Sequence, residues 1–155
     1  MIYTILLILH SLLRWFVLIS LIYTMYRMYK GWFSGDVFTT RDDKLRNITV
    51  IIAHTQLLVG IGLYALSPII HNLFQNFGDA VKQSAVRFYG MEHSILMIIA
   101  IVLITIGSAK AKRLADDTKK FKTIAIWFTI GLLIILVSIP WPFSPIDARP
   151  WVRIF

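Results

Sequence analysis

The chain contains no cysteine. That excludes disulfides, thiolate metal sites, iron–sulfur clusters and covalent c-type haem attachment. Charge is scarce as well: 15% of residues are charged, against about 25% in a soluble domain. Acids number eight against sixteen bases. Proline is nearly confined to one place, with Pro140, Pro142, Pro145 and Pro150 crowded near the C-terminus, so no regular helix can run through that tail. The motifs G-x-x-x-x-G-K, G-x-S-x-G and H-E-x-x-H are missing, which leaves no sequence sign of a P-loop, an elbow serine or a zinc peptidase. "GIG" at 60–62 lacks a third glycine and lies in an apolar run, so it is no dinucleotide site. The five methionines are scattered and form no thioether cluster for copper.

What is present is apolar surface. Hydrophobic residues make up 57% of the 155, gathered in four runs at roughly 2–26, 48–70, 91–108 and 123–141. A bilayer crossing needs about 20 such residues. The runs predict an all-α integral membrane protein of one domain, 1–155, with four transmembrane helices in an up-down-up-down bundle. The first run has no basic n-region, contains His10 and Arg14, and is followed by no small-residue cleavage site. It reads as a retained span rather than a secretory signal.

The bases are placed unevenly. Arg27, Lys30, Arg41, Lys44 and Arg46 lie between runs one and two; Lys110, Lys112, Arg113, Lys119, Lys120 and Lys122 lie between runs three and four. Lys82 and Arg87 are the only bases between runs two and three, and Arg149 and Arg153 are in the tail. Basic loops stay in the cytoplasm, so both termini and the 68–90 loop are expected outside. This placement assigns the positive charge to anionic lipid headgroups rather than to nucleic acid.

Between the runs, "TTRDDKL" offers a helix start near Thr40 or Asp42, because acids favour a first turn. Ser67-Pro68 marks the outer end of span two or a kink near it. The amphipathic stretch from Ile69 to Gly90 is expected at the outer interface, and "AKAKRLADDTKKFK" is a short connection. The tail 142–155, with Phe143, Trp151 and Phe155 following Trp141, reads as an outward-facing interfacial cap over the bilayer or the bundle mouth. A loose anchor is the alternative.

Ionisable groups within a span cost about 2.5 to 3.5 kcal/mol near the bilayer centre, which makes them candidates for function. His10 lies about 12 Å below the outer edge on span one, and His93 about 5 Å below it on span three. Spans one and three are diagonal in such a bundle. Two imidazoles at similar depth on facing helices are what a b-type haem takes as axial ligands, and helix-bundle cores build cofactor sites in this way. At roughly 100° per residue, Tyr89, Met97, Ala100, Ile104 and Gly107 share the stripe of His93. The small residues there leave room for a flat ring or for close helix contact. Arg14, one turn below His10, could meet a haem propionate or Glu92. Arg87 could reach a propionate or a lipid phosphate. His54 stands in an apolar stripe with Ile51, Leu58 and Ile61, beside a second stripe of Ala53, Gln56, Gly60 and Tyr64. It could pair with His10, ligate a second haem, bond a quinone together with Gln56 and Tyr64, or simply bond a neighbouring group. His71 lies near the outer surface.

The strings "LHSLLRW", "HTQLLVGIGLYALSP", "RFYGMEHSILM" and "IPWPF", with the loop "DDKL", resemble the small four-helix membrane proteins of Bacteroidota labelled cytochrome b or cytochrome b-like. The resemblance runs across nearly the whole chain. It implies bis-histidine haem b, electron transfer at the bacterial cytoplasmic (inner) membrane, and His10, His54 and His93 as the family-type histidines. A looser likeness is to one half of a haem A synthase, a four-helix bundle with histidines on alternate helices and a glutamate nearby, which keeps an enzyme reading open.

Residues and resemblance together lead to one expectation: a multi-pass b-type cytochrome. His10 and His93 would be the preferred ligands of one haem b, His54 a candidate ligand of a second, and Arg14 and Arg87 the propionate partners. Quinone, further membrane subunits or a second copy of the chain are its expected partners. The alternative is a haem-free accessory or scaffold subunit, in which His10, Arg14, Glu92 and His93 bond directly to one another. A third reading, a transporter or metal-binding protein, calls for a water-lined path from His54 to one surface.

Overall fold

A computed structural model describes residues 1–144 and 151. Most of the 142–155 tail, including Pro145, Arg149, Pro150, Arg153 and Phe155, lies outside the described residues. Seven α-helices follow one another: α1 Ile2–Ser34, α2 Thr40–Leu66, α3 Pro68–Gln75, α4 Phe77–Ala80, α5 Ser84–Arg87, α6 His93–Lys112 and α7 Asp117–Ser138. A π-helical turn, Phe88–Glu92, joins α5 to α6, and there is no strand among the described residues. Four helical stretches are long and apolar enough to cross a membrane: α1, α2, α7 and the continuous run Ser84–Lys112. The chain is a multi-pass, all-α membrane protein.

The helices run further than the apolar stretches because polar turns at their ends are capped. The side chain of Thr39 accepts from the backbone of Asp42, whose carboxylate accepts in return from the backbone of Thr39. This capping box satisfies two orphan donors and starts α2 at Thr40, eight residues before its apolar run. α1 continues to Ser34 and stops at Gly35, whose φ of 65° is a left-handed conformation that suits glycine. α2 ends at Leu66 rather than crossing Pro68, and Pro68 opens α3, a position where its missing N–H costs nothing.

Side-chain contacts fix the antiparallel order. At one end His10 of α1 lies against Gly60 of α2, and His93 of α6 meets the end of α7 at Ser138. At the other end Arg27 of α1 bonds Asp42 of α2, and Arg46 of α2 bonds Ser108 of α6. The helices therefore alternate up, down, up, down. α1 packs mainly on α2 and α7, and α6 on α7 and α2, so α1 and α6 face each other across the diagonal.

The core is thickest toward the basic end, where Leu21, Met28, Ile104, Phe121, Ile124 and Phe128 are fully buried. Close approach of α6 and α7 there depends on small residues. A Cβ at Gly131 would sit 2.5 Å from Ile104, and the ring of Trp127 covers Gly107. The small residues on the stripe of His93 thus serve helix contact at Gly107. Gly131→Val should lower stability by about 1–3 kcal/mol through overpacking, read by thermal unfolding in detergent. Gly78→Ala, where an added Cβ meets nothing within 4 Å, should leave the transition unchanged.

Candidate functional site

The imidazoles of His10 and His93 come together across the α1–α6 diagonal. Their ring centroids are 6.4 Å apart and their planes meet at 72°. Two imidazoles sharing one iron require about 2 Å from each nitrogen to the metal plus about 1 Å from nitrogen to ring centre, or about 6 Å in all. The separation fits that requirement. Direct N–H···N bonding would bring the rings closer, at about 5 Å.

His93 is held by a backbone carbonyl: its Nδ1 lies 2.8 Å from Ser138 O. A carbonyl only accepts, so Nδ1 carries the proton and Nε2 keeps its lone pair. This is how ligand histidines are commonly oriented. The carbonyl is free for a reason written in the sequence. In a continuing helix Ser138 O would accept from residue 142, but residue 142 is proline and has no N–H. The same holds two residues earlier, where residue 140 is proline and Leu136 O accepts instead from the indole of Trp141 at 2.9 Å. The two prolines of "IPWPF" thus release two carbonyls at the end of α7, and one of them orients His93.

The π turn just before His93 was not foreseen. The backbone N–H of His93 reaches back five residues to Phe88. That inserts one residue into the helical phase and sets the rings of Phe88 and His93 5.7 Å apart, closer than Tyr89 at 6.4 Å. Nothing in "RFYGME" announces such a turn, although π turns recur at functional sites. Tyr64 ties α2 to this turn by donating to Gly90 O at 2.9 Å.

Around His10 the polar groups are incompletely served. Gln56 donates to the carbonyl of His10 at 3.0 Å. Among the described residues, the buried side-chain nitrogens and oxygens without a partner are His10 Nδ1, Arg14 Nε and Gln56 Oε1. They belong to His10, the residue one turn from it and the residue that grips its backbone. A buried polar atom left unpaired costs about 1–3 kcal/mol, and all three such atoms lie together around His10.

The remaining candidates are placed as follows. Arg14 donates to the carbonyl of Trp151 at 2.5 Å, and the Trp15 indole donates to the same oxygen at 3.0 Å. Trp15, Trp141 and Trp151 pack as a cluster with centroids 5.8–6.5 Å apart, so Trp151 is fastened against α1. Arg87 pairs with Glu92 at 2.8 Å near the surface, and Glu92 reaches neither Arg14 nor His93 among the described bonds. His54 stands apart from the ring pair, about 9 Å along α2 from Gly60. Its Nδ1 donates to Val50 O at 2.8 Å and its Nε2 faces the Thr105 hydroxyl at 3.3 Å. With Nδ1–H donating to Val50 O, Nε2 keeps its lone pair beside the Thr105 hydroxyl, whose proton goes to Ile101 O at 2.7 Å. The stripe of Ile51, Leu58 and Ile61 is exposed, so it is not a contact surface, while Gln56 and Gly60 meet α1 and His54 meets α6. His71 is exposed beside a cavity of about 120 Å³ between Tyr64 and Phe74. No group of three or more metal-ligating side chains occurs among the described residues.

Pro140→Ala with Pro142→Ala lifts the block that holds Ile139 extended and restores an N–H at 142 that can close on Ser138 O and compete with His93. The expected outcome is loss of the single Nδ1–H tautomer of His93, read from its ¹⁵N imidazole shifts. His54, held by Val50, should keep its spectrum.

Comparisons with protein-family models, with curated proteins and with solved structures return no match.

Proposed function

We propose that the chain is an electron carrier of the bacterial cytoplasmic membrane, holding one non-covalent b-type haem between His10 and His93. The observation that carries this reading is the ring pair itself. Two imidazoles stand at the spacing of shared axial ligation, one of them with its Nδ1 committed to a carbonyl and its Nε2 free. Bound there, haem supplies reversible one-electron chemistry.

The chain's own residues supply the setting. Ser138 O fixes the tautomer of His93. Phe88, Tyr89 and the half-buried position of both rings keep water away from them, and a dry surrounding sets the reduction potential. Arg14, with an unpaired Nε in the same place, is the cation suited to a propionate. Arg87, committed to Glu92 on the surface, is less suited. His54 is a helix-bridging residue in this reading, which leaves one haem rather than two. The bases at the Arg27–Asp42 end support a cytoplasmic position for that end, with both termini outside. Four spans of this kind pass the electron to a quinone or to a neighbouring membrane subunit, a second copy of the chain included.

The haem-free accessory reading calls for His10, Arg14, Glu92 and His93 to satisfy one another. The described bonds instead take His93 to Ser138, Arg14 to Trp151 and Glu92 to Arg87, which favours the ligand reading.

A dithionite-reduced minus oxidised spectrum of protein purified from haem-replete cells tests it. The wild type should show the α band of a b haem. His10→Ala and His93→Ala should each abolish it, while His54→Ala and His71→Ala should keep it. A colourless wild type, or a band that survives His93→Ala and disappears in His54→Ala, would overturn the assignment.

A further inference from the structure

We propose that a cavity at the opposite, basic end of the bundle binds a phosphate group. The cavity has a volume of about 320 Å³ and opens between the start of α2 and the α6–α7 connection. Its polar lining comprises Arg46, Lys112, Lys120, Asp43, Thr39 and Thr40, three cations against one carboxylate.

Arg46 is the reason to read this as a site and not as a solvated surface. Its side chain is only 3% exposed. Its one carboxylate partner, Asp43 at 2.8 Å, is 45% exposed, and its other described contacts go to the carbonyl and hydroxyl of Ser108, which carry no charge. A buried guanidinium is costly unless its charge is met, and a half-solvated carboxylate meets it poorly. Lys112 has no described bond. Lys120 reaches Asp117 at 3.2 Å but projects over Phe38 into the same space. An oxyanion in the cavity would lie beside the buried Arg46 charge and meet two ammonium groups, Lys112 and Lys120, and the Thr40 hydroxyl, the Thr39 hydroxyl being given to Asp42. A tetrahedral phosphate accepts from such a spread of donors better than a planar carboxylate does.

The level of the cavity fits the same ligand. It lies where helices leave their apolar stretches, and Phe38 and Leu114 supply an apolar wall beside the charges. Basic pockets between membrane helices take lipid phosphates at this depth. The phosphate could equally be free in solution. The proposal does not depend on haem or on the ring pair.

The test uses the full chain, purified in detergent and stripped of lipid. Added phosphatidylglycerol, phosphatidylcholine and inorganic phosphate are compared by native mass spectrometry and by the shift in thermal unfolding. Binding of phosphatidylglycerol without response to inorganic phosphate identifies a lipid headgroup; response to inorganic phosphate identifies the free ion. In either case Lys112→Gln/Lys120→Gln should bind about thirtyfold more weakly, while Lys44→Gln/Lys119→Gln, with the same loss of charge outside the cavity, should bind as the wild type does. If the double variant fails to fold, Lys112→Gln alone replaces it, with the same direction expected. No response to any phosphate, or equal weakening in both double variants, overturns the proposal.

Discussion

In a lipid-embedded bundle every polar group must find its partner inside the protein, because the surrounding hydrocarbon offers none. That constraint organises this molecule from end to end. At the basic end Arg27 is shared between Asp36 and Asp42. One turn inward Arg46 is spent on Asp43 and Ser108. Deeper, the hydroxyls of Thr24 and Thr49 meet at 2.7 Å in full burial, then His54 reaches Thr105, then Gln56 grips His10. Asp42, Arg46, Thr49, Ala53, Gln56 and Gly60 recur every three or four residues on one inward face of α2, with His54 beside it. The helix with the most polar interior stripe is thus the one whose pairing sets the register of its neighbours. The unpaired atoms beside His10 stand out against this background of satisfied groups.

The two ends are built from different chemistry. The basic end is clamped by ion pairs and by ammonium groups resting on rings, such as Lys110 over Trp127 at 4.5 Å and Lys122 over Trp32 at 5.3 Å. The other end, beside its surface pair Arg87–Glu92, relies on aromatic contacts and backbone carbonyls: Trp15, Trp141 and Trp151 packed together, and Ser138, Leu136 and Trp151 offering oxygen. Long cationic side chains can reach headgroups from within a span, whereas indoles combine an apolar body with one donor. The distribution of bases was visible in the sequence, and with it the different character of the two ends.

Much of the architecture was legible because a bilayer imposes length. Four apolar runs gave four helices in alternating order, and the pairing of His10 with His93 followed from their comparable depth on diagonal spans. Helix ends were less legible. Apolar counting stopped at Tyr26 and began at Ile48, while capping at Thr39 and the turn at Gly35 carry helix well past both. The role of His54 was not readable, since the stripe of Ile51 and Leu58 looked like a contact surface and proved to be exposed. Thr105, its partner on α6, carries no mark in the sequence. The carbonyl of Ser138 could have been found, because a proline four residues on always leaves a helical oxygen without its donor. The π turn could not, since its composition is that of an ordinary helix.

That turn has a consequence for how the protein tolerates change in length. One surplus residue between Phe88 and Glu92 is stored as a bulge, so the chain ahead of it and the helix after it are out of step by a single position. Excising any one residue there would relax the bulge to a regular helix. The segments on either side would keep their places, because the bulge itself, and not the flanking helix, held the extra residue. The segment works as a phase adjuster, and it confines length variation to the stretch outside the bundle.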